Sequence, residues 1–153
     1  MMNLKSVQLI IDGSCQPANP GNGGWCCILQ CNGRERVLTG GHPASTNSRM
    51  ELSAALFGLR ALREPCEVEL ITDSMYVAQG ITEYLPKWRA NSWRTASGKE
   101  VKNQDLWLQL AQLLEIHTVH CKWTRAHSDH ADQNRADQLA GRAARDHAVA
   151  VAG

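Results

Sequence analysis

The chain has 153 residues, of which 43% are hydrophobic and 20% are charged, and its formal net charge at pH 7 is +1. A chain of this length fits one domain with a sizeable apolar core, and its composition excludes a largely disordered protein. The small net charge excludes attraction of the whole molecule to nucleic acid, so any such affinity requires a local basic patch.

The first apolar segment and the cysteines indicate where the protein works. Residues 4–11 include Lys5 and Gln8, which make this segment too short and too polar for a signal peptide or a membrane span. The six cysteines form no CxxC pair in the sequence, and a reducing compartment would keep them as thiols. We therefore expect a cytoplasmic protein that has no contact with membranes.

The first part of the chain is predicted to be a meander followed by a helix. The Asn32-Gly33 dipeptide is typical of a tight hairpin turn between two strands. From residue 48 the apolar residues change to helical spacing, which continues to residue 63 and is closed by Pro65. Short apolar or alternating segments predict three β-strands, at residues 7–12, 25–30 and 34–41.

The rest of the chain alternates between strand and helix patterns. Residues 87–103 are polar, with Gly and Ser residues and two tryptophans, and this composition predicts an exposed excursion. A last helix carries Ala136 and Leu139, and we expect one domain over residues 1–147 and a flexible tail over residues 148–153. The other predicted elements are a strand at 66–72, a short helix at 74–82 with a continuation toward Trp88 left open, a helix at 105–117 and a strand at 119–123.

This order of elements predicts an α/β fold with a five-stranded mixed sheet flanked by helices. An antiparallel meander comes first, and right-handed crossovers then add parallel strands. In such sheets ligands gather at the carboxyl ends of strands, where the winding changes direction. The first strand ends at Asp12, and Asp73 follows the fourth.

Four acidic residues each stand at the end of an element or near a helix start, namely Asp12, Glu51, Asp73 and Asp137. Clustered carboxylates repel one another unless a cation neutralises them, and their oxygens favour Mg²⁺ or Mn²⁺ over Zn²⁺. Two such ions could support hydrolysis of a phosphodiester. Each acid could instead have a local role, as a turn residue, a helix cap or part of a solvated face. The spacing alone leaves both interpretations open.

The sequence around these acids resembles that of the type 1 ribonucleases H along nearly the whole chain. The resembling segments are Asp12-Gly13-Ser14-Cys15 with Asn19-Pro20-Gly21 and Gly23-Gly24, Thr46-Asn47-Ser48-Arg49-Met50-Glu51-Leu52, Thr72-Asp73-Ser74 with Tyr76-Val77, and His127 ahead of Arg135-Ala136-Asp137-Gln138-Leu139-Ala140. Their order and their places on the predicted elements make a chance match implausible. The resemblance implies the ribonuclease H-like fold and endonucleolytic hydrolysis of the RNA strand in RNA/DNA hybrids. It also implies two Mg²⁺ ions, with Mn²⁺ as a substitute, and products with 5′-phosphate and 3′-hydroxyl ends.

The resemblance assigns roles to particular residues. The four acids would hold the metal ions, His127 would move protons at the reacting phosphodiester, and the enzyme would be a monomer. Two groups would bind substrate. The groove and phosphate contacts would be Cys15, Asn19, Thr46, Asn47, Arg49 and Gln79, and the excursion would contribute Trp88, Arg89, Trp93, Arg94 and Lys99.

Two departures from the family pattern affect this transfer. Met75 stands where many relatives have a glutamine, and it cannot make the same hydrogen bonds. Before the last acid, Gln133-Asn134-Arg135 replaces the usual Asn-Glu-Arg, so Asn134 removes one negative charge beside the metal site.

Three other functions compete with this interpretation. A nuclease or strand-transfer enzyme of the same fold could act on DNA, although Asp137, His127 and the basic excursion argue against it. A hybrid-binding module without catalysis would be expected to lack one of the acids, and none is missing. A structural Cys/His metal protein would need a regular tetrahedral ligand set, and core packing explains these cysteines better.

Overall fold

The computed structural model describes residues 4–125 and 130–152. Five strands form one sheet in the order β3-β2-β1-β4-β5. The antiparallel pairs are β1 with β2 and β2 with β3, and the parallel pairs are β1 with β4 and β4 with β5. The predicted five-stranded mixed sheet is therefore confirmed. The strands are β1 (Lys5–Gln16), β2 (Gly21–Cys31), β3 (Arg34–Ser45), β4 (Cys66–Thr72) and β5 (Thr118–Trp123).

The helices lie on both faces of the sheet and separate the core into two clusters. One cluster joins β1 with α1 and α4 through residues such as Leu9, Leu52 and Trp107. The other joins the opposite face to α5 and includes Ile10 and Ala140. The helices are α1 (Asn47–Arg60), α2 (Met75–Gln79), α3 (Leu85–Ala90), α4 (Gln104–Ile116) and α5 (Ala131–Ala152).

Small residues let α5 lie directly on the sheet. A Cβ atom at Gly24 would be 2.2 Å from the backbone nitrogen of Ala144 and 2.4 Å from the carbonyl oxygen of Ala140. Only glycine fits β2 here without moving the helix. Close packing against β1 and β2 therefore fixes the position of α5, and with it the position of Asp137.

The predicted excursion is more ordered than its composition suggests. A π-helical turn, Gly80–Tyr84, joins α2 to α3, so residues 87–90 are helical rather than irregular. Trp88 packs edge-on against the buried Trp107, with ring centroids 5.3 Å apart. This tertiary contact overrides the local polar composition, which is why the sequence pattern placed the start of the excursion too early.

The last helix continues to Ala152, beyond the end near residue 147 expected from the sequence. The flexibility expected of residues 148–153 stays a prediction. Within the described ranges, no helix is both long enough and apolar enough to cross a membrane.

Candidate active site

Three of the four predicted acids meet just beyond the point where the pairing of β1 with β4 ends. The expectation that the first strand ends at Asp12 was wrong, because β1 continues to Gln16 as the antiparallel partner of β2. Asp12 lies in β1, Asp73 follows the end of β4, and Glu51 lies in α1, which packs on β1. One carboxylate oxygen from each lies within 4.8 Å of the others. Asp12 and Glu51 are buried, whereas Asp73 is half-buried. Parallel pairing of β1 with β4 aligns Ile10 with Ile71, which brings the two aspartates to the same edge of the sheet.

Gly13 allows Glu51 to approach Asp12. A Cβ atom at Gly13 would lie 2.4 Å from the backbone nitrogen of Glu51 and 2.5 Å from the backbone carbon of Met50. Any side chain here would force the second turn of α1 away from β1. Thr46 caps the same helix, because its Oγ1 accepts the backbone N–H of Arg49 at 3.2 Å.

The cluster carries an electrostatic cost that a cation would relieve. Burial, together with the negative charges of Asp73 and Asp137, raises the pKa of Asp12 to about 7. Burial and the neighbouring Asp12 raise the pKa of Glu51 well above its ordinary value. Asp12 Oδ2 and Glu51 Oε2 are buried and have no hydrogen-bond partner among the described residues. Buried, unsatisfied carboxylate oxygens that face one another are suited to a hard divalent cation, so these residues fit the predicted metal.

Asp137 stands at the rim of this cluster rather than within it. It lies on α5, half-buried, and it is absent from the group of acids that share the 4.8 Å spacing. Its charge nevertheless contributes to the raised pKa of Asp12. Asp137 also borders a groove of about 420 Å³ that is lined by Ser14, Gln16, Gln138, Gly141, Arg142 and Arg145.

Two histidines, His127 and His130, precede α5, and the structure describes only the second. His127 falls outside the described residues. His130 lies within them, directly before α5. Its Nδ1 accepts the backbone N–H of Gln133 at 3.1 Å, which caps the first turn of α5.

The predicted groove residues are engaged with one another and with α4. Asn19 accepts the backbone N–H of Asn47 at 3.0 Å, which ties the loop after β1 to the start of α1. Arg49 donates to both carboxylate oxygens of Asp105, at 3.0 and 2.7 Å, and to Asn103 at 3.2 Å. Arg49 is therefore held by an ion pair beside the groove. Sequence patterns did not reveal this partner because it is 56 residues away.

The remaining predicted groove residues lie at different depths. Cys15 is buried and Gln79 is half-buried. Met75, the residue that departs from the family pattern, is 46% exposed at the start of α2, two residues after Asp73. An exposed apolar side chain therefore follows Asp73 closely in the chain.

The residues of the excursion differ in whether contacts with the rest of the protein hold them in place. Arg89 donates to the carbonyl oxygen of Ala111 at 3.0 Å and pairs with Glu115 at 3.4 Å, so it holds α3 against α4. Trp88 and Trp93 are half-buried against the main core cluster. Arg94 and Lys99 are exposed. Arg94 lines a groove of about 340 Å³ together with Tyr84, Lys87, Trp88, Asn91, Thr95 and Ala96.

Tyr84, an aromatic residue of this groove, was missed by the sequence reasoning, whereas Lys87 belongs to the basic residues of the excursion. Tyr84 stacks on Trp88, with ring centroids 5.9 Å apart, and Lys87 adds a positive charge. An aromatic residue four positions before Trp88 was the available signal for Tyr84, because residues four apart share a helix face.

Comparisons with known proteins agree with this arrangement. Residues 4–145 match the family model for RNase H. The chain is 50% identical over 143 residues to the ribonuclease H of Solibacter usitatus, covering 94% of this chain and 97% of the relative. Its structure resembles the crystal structure of LC9-RNase H1, described as a type 1 RNase H with the type 2 active-site motif, with a TM-score of 0.87 and 28% identity over 96% of this chain and 75% of the other. LC11-RNase H1, crystallised with an RNA/DNA hybrid, shares the fold with a TM-score of 0.66 and 17% identity over 92% and 97% of the two chains.

Proposed function

Because this chain belongs to the ribonuclease H family, we propose that it cleaves the RNA strand of RNA/DNA hybrids endonucleolytically and leaves 5′-phosphate and 3′-hydroxyl ends. The observation that carries the proposal is the convergence of Asp12, Glu51 and Asp73 at one edge of the sheet. Three acids in this position repel one another without a cation, and such a cluster is suited to phosphodiester hydrolysis.

The four acids would hold two divalent cations, with Mg²⁺ as the natural ion and Mn²⁺ as a substitute. When bound, the ions supply activation of the attacking water and stabilisation of the charge on the leaving 3′-oxygen. Asp12 and Glu51 would contribute buried oxygens that lack other partners among the described residues. Asp137, at the rim, would complete the site from the side of α5. His127 would transfer the proton between the reacting groups and solvent.

Selection of the RNA strand requires that the enzyme sense 2′-hydroxyl groups in the shallow minor groove of the hybrid. Cys15, Asn19, Asn47 and Gln79 would contact that groove. Thr46 and Arg49 would lie near a phosphate of the DNA strand, with Arg49 already oriented by Asp105. The excursion would contact phosphates further along the duplex, chiefly through its exposed basic residues.

We also propose a monomer in the cytoplasm. The location is supported by the six cysteines, all of which lie in the described part of the chain and are free thiols. Free thiols in this number are typical of a reducing compartment.

One experiment tests the reaction and its metal requirement together. A hybrid with a labelled RNA strand, the same hybrid with a labelled DNA strand, duplex DNA and duplex RNA are each incubated with the protein and Mg²⁺, Mn²⁺ or a chelator. We expect cleavage of the RNA strand of the hybrid alone, no cleavage with chelator, and products that carry 5′-phosphates. Cleavage of duplex DNA at a comparable rate would instead favour a DNA-acting enzyme of the same fold.

The matched control is Asp73→Asn, which removes one negative charge from the cluster while keeping nearly the same shape. If this variant cleaves the hybrid as the parent does, the activity comes from a contaminant or from another site.

A further inference from the structure

Gln133 is a polar side chain in the core between α5 and the sheet, and only 1% of it is exposed. Its Nε2 donates to the carbonyl oxygen of Ile11 at 3.0 Å, and its Oε1 accepts the hydroxyl of Thr124 at 3.4 Å. A buried amide that is hydrogen-bonded at both ends holds its neighbours in a fixed arrangement, because breaking either bond leaves a buried polar group unsatisfied.

The partners of Gln133 lie next to the two aspartates of the cluster. Ile11 directly precedes Asp12 in β1, just beyond Ile10 and Ile71, where the pairing of β1 with β4 ends. Thr124 lies beside β4, because its backbone N–H donates to the carbonyl oxygen of Thr72 at 2.8 Å. Thr72 directly precedes Asp73. Gln133 therefore connects α5 directly to the residue before Asp12, and through Thr124 to the residue before Asp73.

The helix relates Gln133 to the fourth acid. Gln133 and Asp137 are four residues apart in α5, so they share one face of the helix and lie one turn from each other. Asp137 stands outside the 4.8 Å cluster, and its distance from that cluster depends on where the first turns of α5 rest on β1. The bond from Gln133 to Ile11 fixes that contact.

We propose that Gln133 is a positioning residue that sets the distance between Asp137 and the carboxylates of Asp12 and Asp73. The bond to Thr124 also fixes the start of the segment that leads to His127. The inference rests on the proposed function, since it concerns the same reaction. It accounts for a polar residue in a core where an apolar residue of the same size would fill the space equally well.

The direct test is Gln133→Leu, which keeps the approximate volume and removes both side-chain hydrogen bonds. We expect kcat on a labelled hybrid to fall by about tenfold or more, because small displacements of a reacting group are costly. KM should stay within about twofold, and so should the Kd for hybrid measured with chelator, because no groove residue has changed. Hydrogen exchange at the backbone amides of residues 134–137 should become faster in the metal-free protein.

The control for general loosening of α5 is Leu139→Ala, which removes apolar packing from the core cluster that includes Ile10 and Ala140. A leucine side chain forms no hydrogen bond, so this variant loses none to β1. It should lower the melting temperature and leave kcat within about twofold when assayed well below that temperature. A loss of kcat equal to that of Gln133→Leu would overturn the proposal, because loosening alone would then explain the effect.

Thr124→Val and Thr124→Ser give a second test that does not depend on the folding of the Gln133 variant. Only the serine retains the hydroxyl, so the valine variant should lose about threefold or more in kcat and the serine variant should recover most of it. A parent that cleaves no hybrid would refute the proposed function. A parent that is active, with Gln133→Leu and Thr124→Val both within twofold of its kcat, would overturn this inference alone.

Discussion

Asp12 and Glu51 illustrate how the requirements of a metal site and of folding conflict at single residues. Each is a buried carboxylate whose pKa is raised by burial, and each has an oxygen without a partner among the described residues. In the metal-free protein the ionised cluster therefore opposes folding. Neutralising one member should remove the chemistry while relieving this repulsion.

The variants Asp12→Asn and Asp73→Asn test both effects. We expect each to reduce the cleavage rate by more than about a hundredfold, since even changes beside a metal ligand cost about 10–100-fold. The melting temperature of the metal-free protein should be unchanged or higher, because a repelling charge has been removed. Calorimetry without metal and an initial-rate assay with Mg²⁺ measure the two quantities. A clear loss of stability with retained activity would reverse the assignment of these residues.

The two loop histidines should respond differently to replacement. We expect His127→Ala to lower the rate at saturating substrate by at least about tenfold, because a positioned proton-transfer group is lost. His130→Ala should keep the rate within about threefold of the parent. It should, however, lose stability by about 1 kcal/mol, because the cap on the backbone N–H of Gln133 is removed.

His130→Asn is the matched control, since asparagine is a good N-cap and should restore the stability. Equal rate losses in the two alanine variants, or a loss at His130 alone, would show that the wrong histidine has been chosen.

At the residue scale, the sequence predicted the acids of the cluster better than their surroundings. Asp73 could be placed because the end of β4 is visible in the hydrophobic pattern, and Asp12 because the apolar run of β1 ends there, although the strand itself continues to Gln16. The contacts of Arg49 with Asp105 and of Gln133 with Ile11 could not be predicted, because these partners lie 56 and 122 residues away along the chain. Such contacts depend on how α4 and α5 pack, which local patterns do not specify.

At the scale of elements, the excursion combines an anchor with an exposed basic surface, which we propose to contact nucleic acid. Arg89 and Trp88 hold α3 against α4, while Arg94 and Lys99 remain exposed. Replacing Arg89 is therefore expected to affect mainly stability, whereas replacing Arg94 or Lys99 is expected to affect mainly hybrid binding. The charge pattern of the sequence did not distinguish them, because the partners that hold Arg89 belong to another helix.

Neutralising Arg89, Arg94 and Lys99 together should weaken hybrid binding and flatten its salt dependence, because fewer counterions are released. Most of the change should already appear in the double variant Arg94→Ala/Lys99→Ala. Turnover at saturating hybrid should be retained. Arg89→Ala alone should lower the melting temperature and change the slope of log K against log salt only slightly.

The control for the double variant Arg94→Ala/Lys99→Ala is Arg34→Ala/Arg36→Ala, which removes the same two positive charges from exposed residues of β3. Arg36 pairs with Leu29, whereas Asp12 pairs with Cys26, so these arginines lie toward the other end of the sheet. If the excursion variant and this control have the same salt slope, the excursion does not contact phosphates.

Strands and long helices were predicted well where the apolar period was clear. The meander, β4, β5 and α4 lie within a few residues of their predicted positions. The π-helical turn was not predicted, and α3 was left open as a continuation toward Trp88, because their order comes from the packing of Gly80 and Trp88 against Trp107. A Cβ atom at Gly80 would lie 2.2 Å from that indole ring.

At the scale of the whole molecule, the acid cluster makes stability depend on pH and on metal. The pKa of Asp12 is raised in the folded protein to about 7 from 3.8, and that of Glu51 is raised as well. The folded state therefore binds more protons than the unfolded state in this range. The stabilisation from protonation is present at low pH and is lost as pH rises through about 7.

We therefore expect the melting temperature of the metal-free protein to fall between about pH 5 and pH 8. Asp12→Asn should fall less steeply, and saturating Mg²⁺ should raise the melting temperature of the parent most at the upper end of this range. Calorimetry across the range, with and without Mg²⁺, measures this. A melting temperature that rises with pH in the metal-free parent would contradict the raised pKa values.

The order of strands leaves β3 and β5 at the two margins of the sheet. A bare strand margin offers unpaired backbone groups to other chains and promotes aggregation, and proteins counter this with short margins, charge and proline. Here β5 has six residues and carries Lys122, while β3 begins with Arg34, Glu35 and Arg36 and contains Pro43 near its far end. The short β5 and the charges and proline of β3 therefore oppose pairing of either margin with a second copy, and we expect them to limit aggregation although the net charge is close to zero.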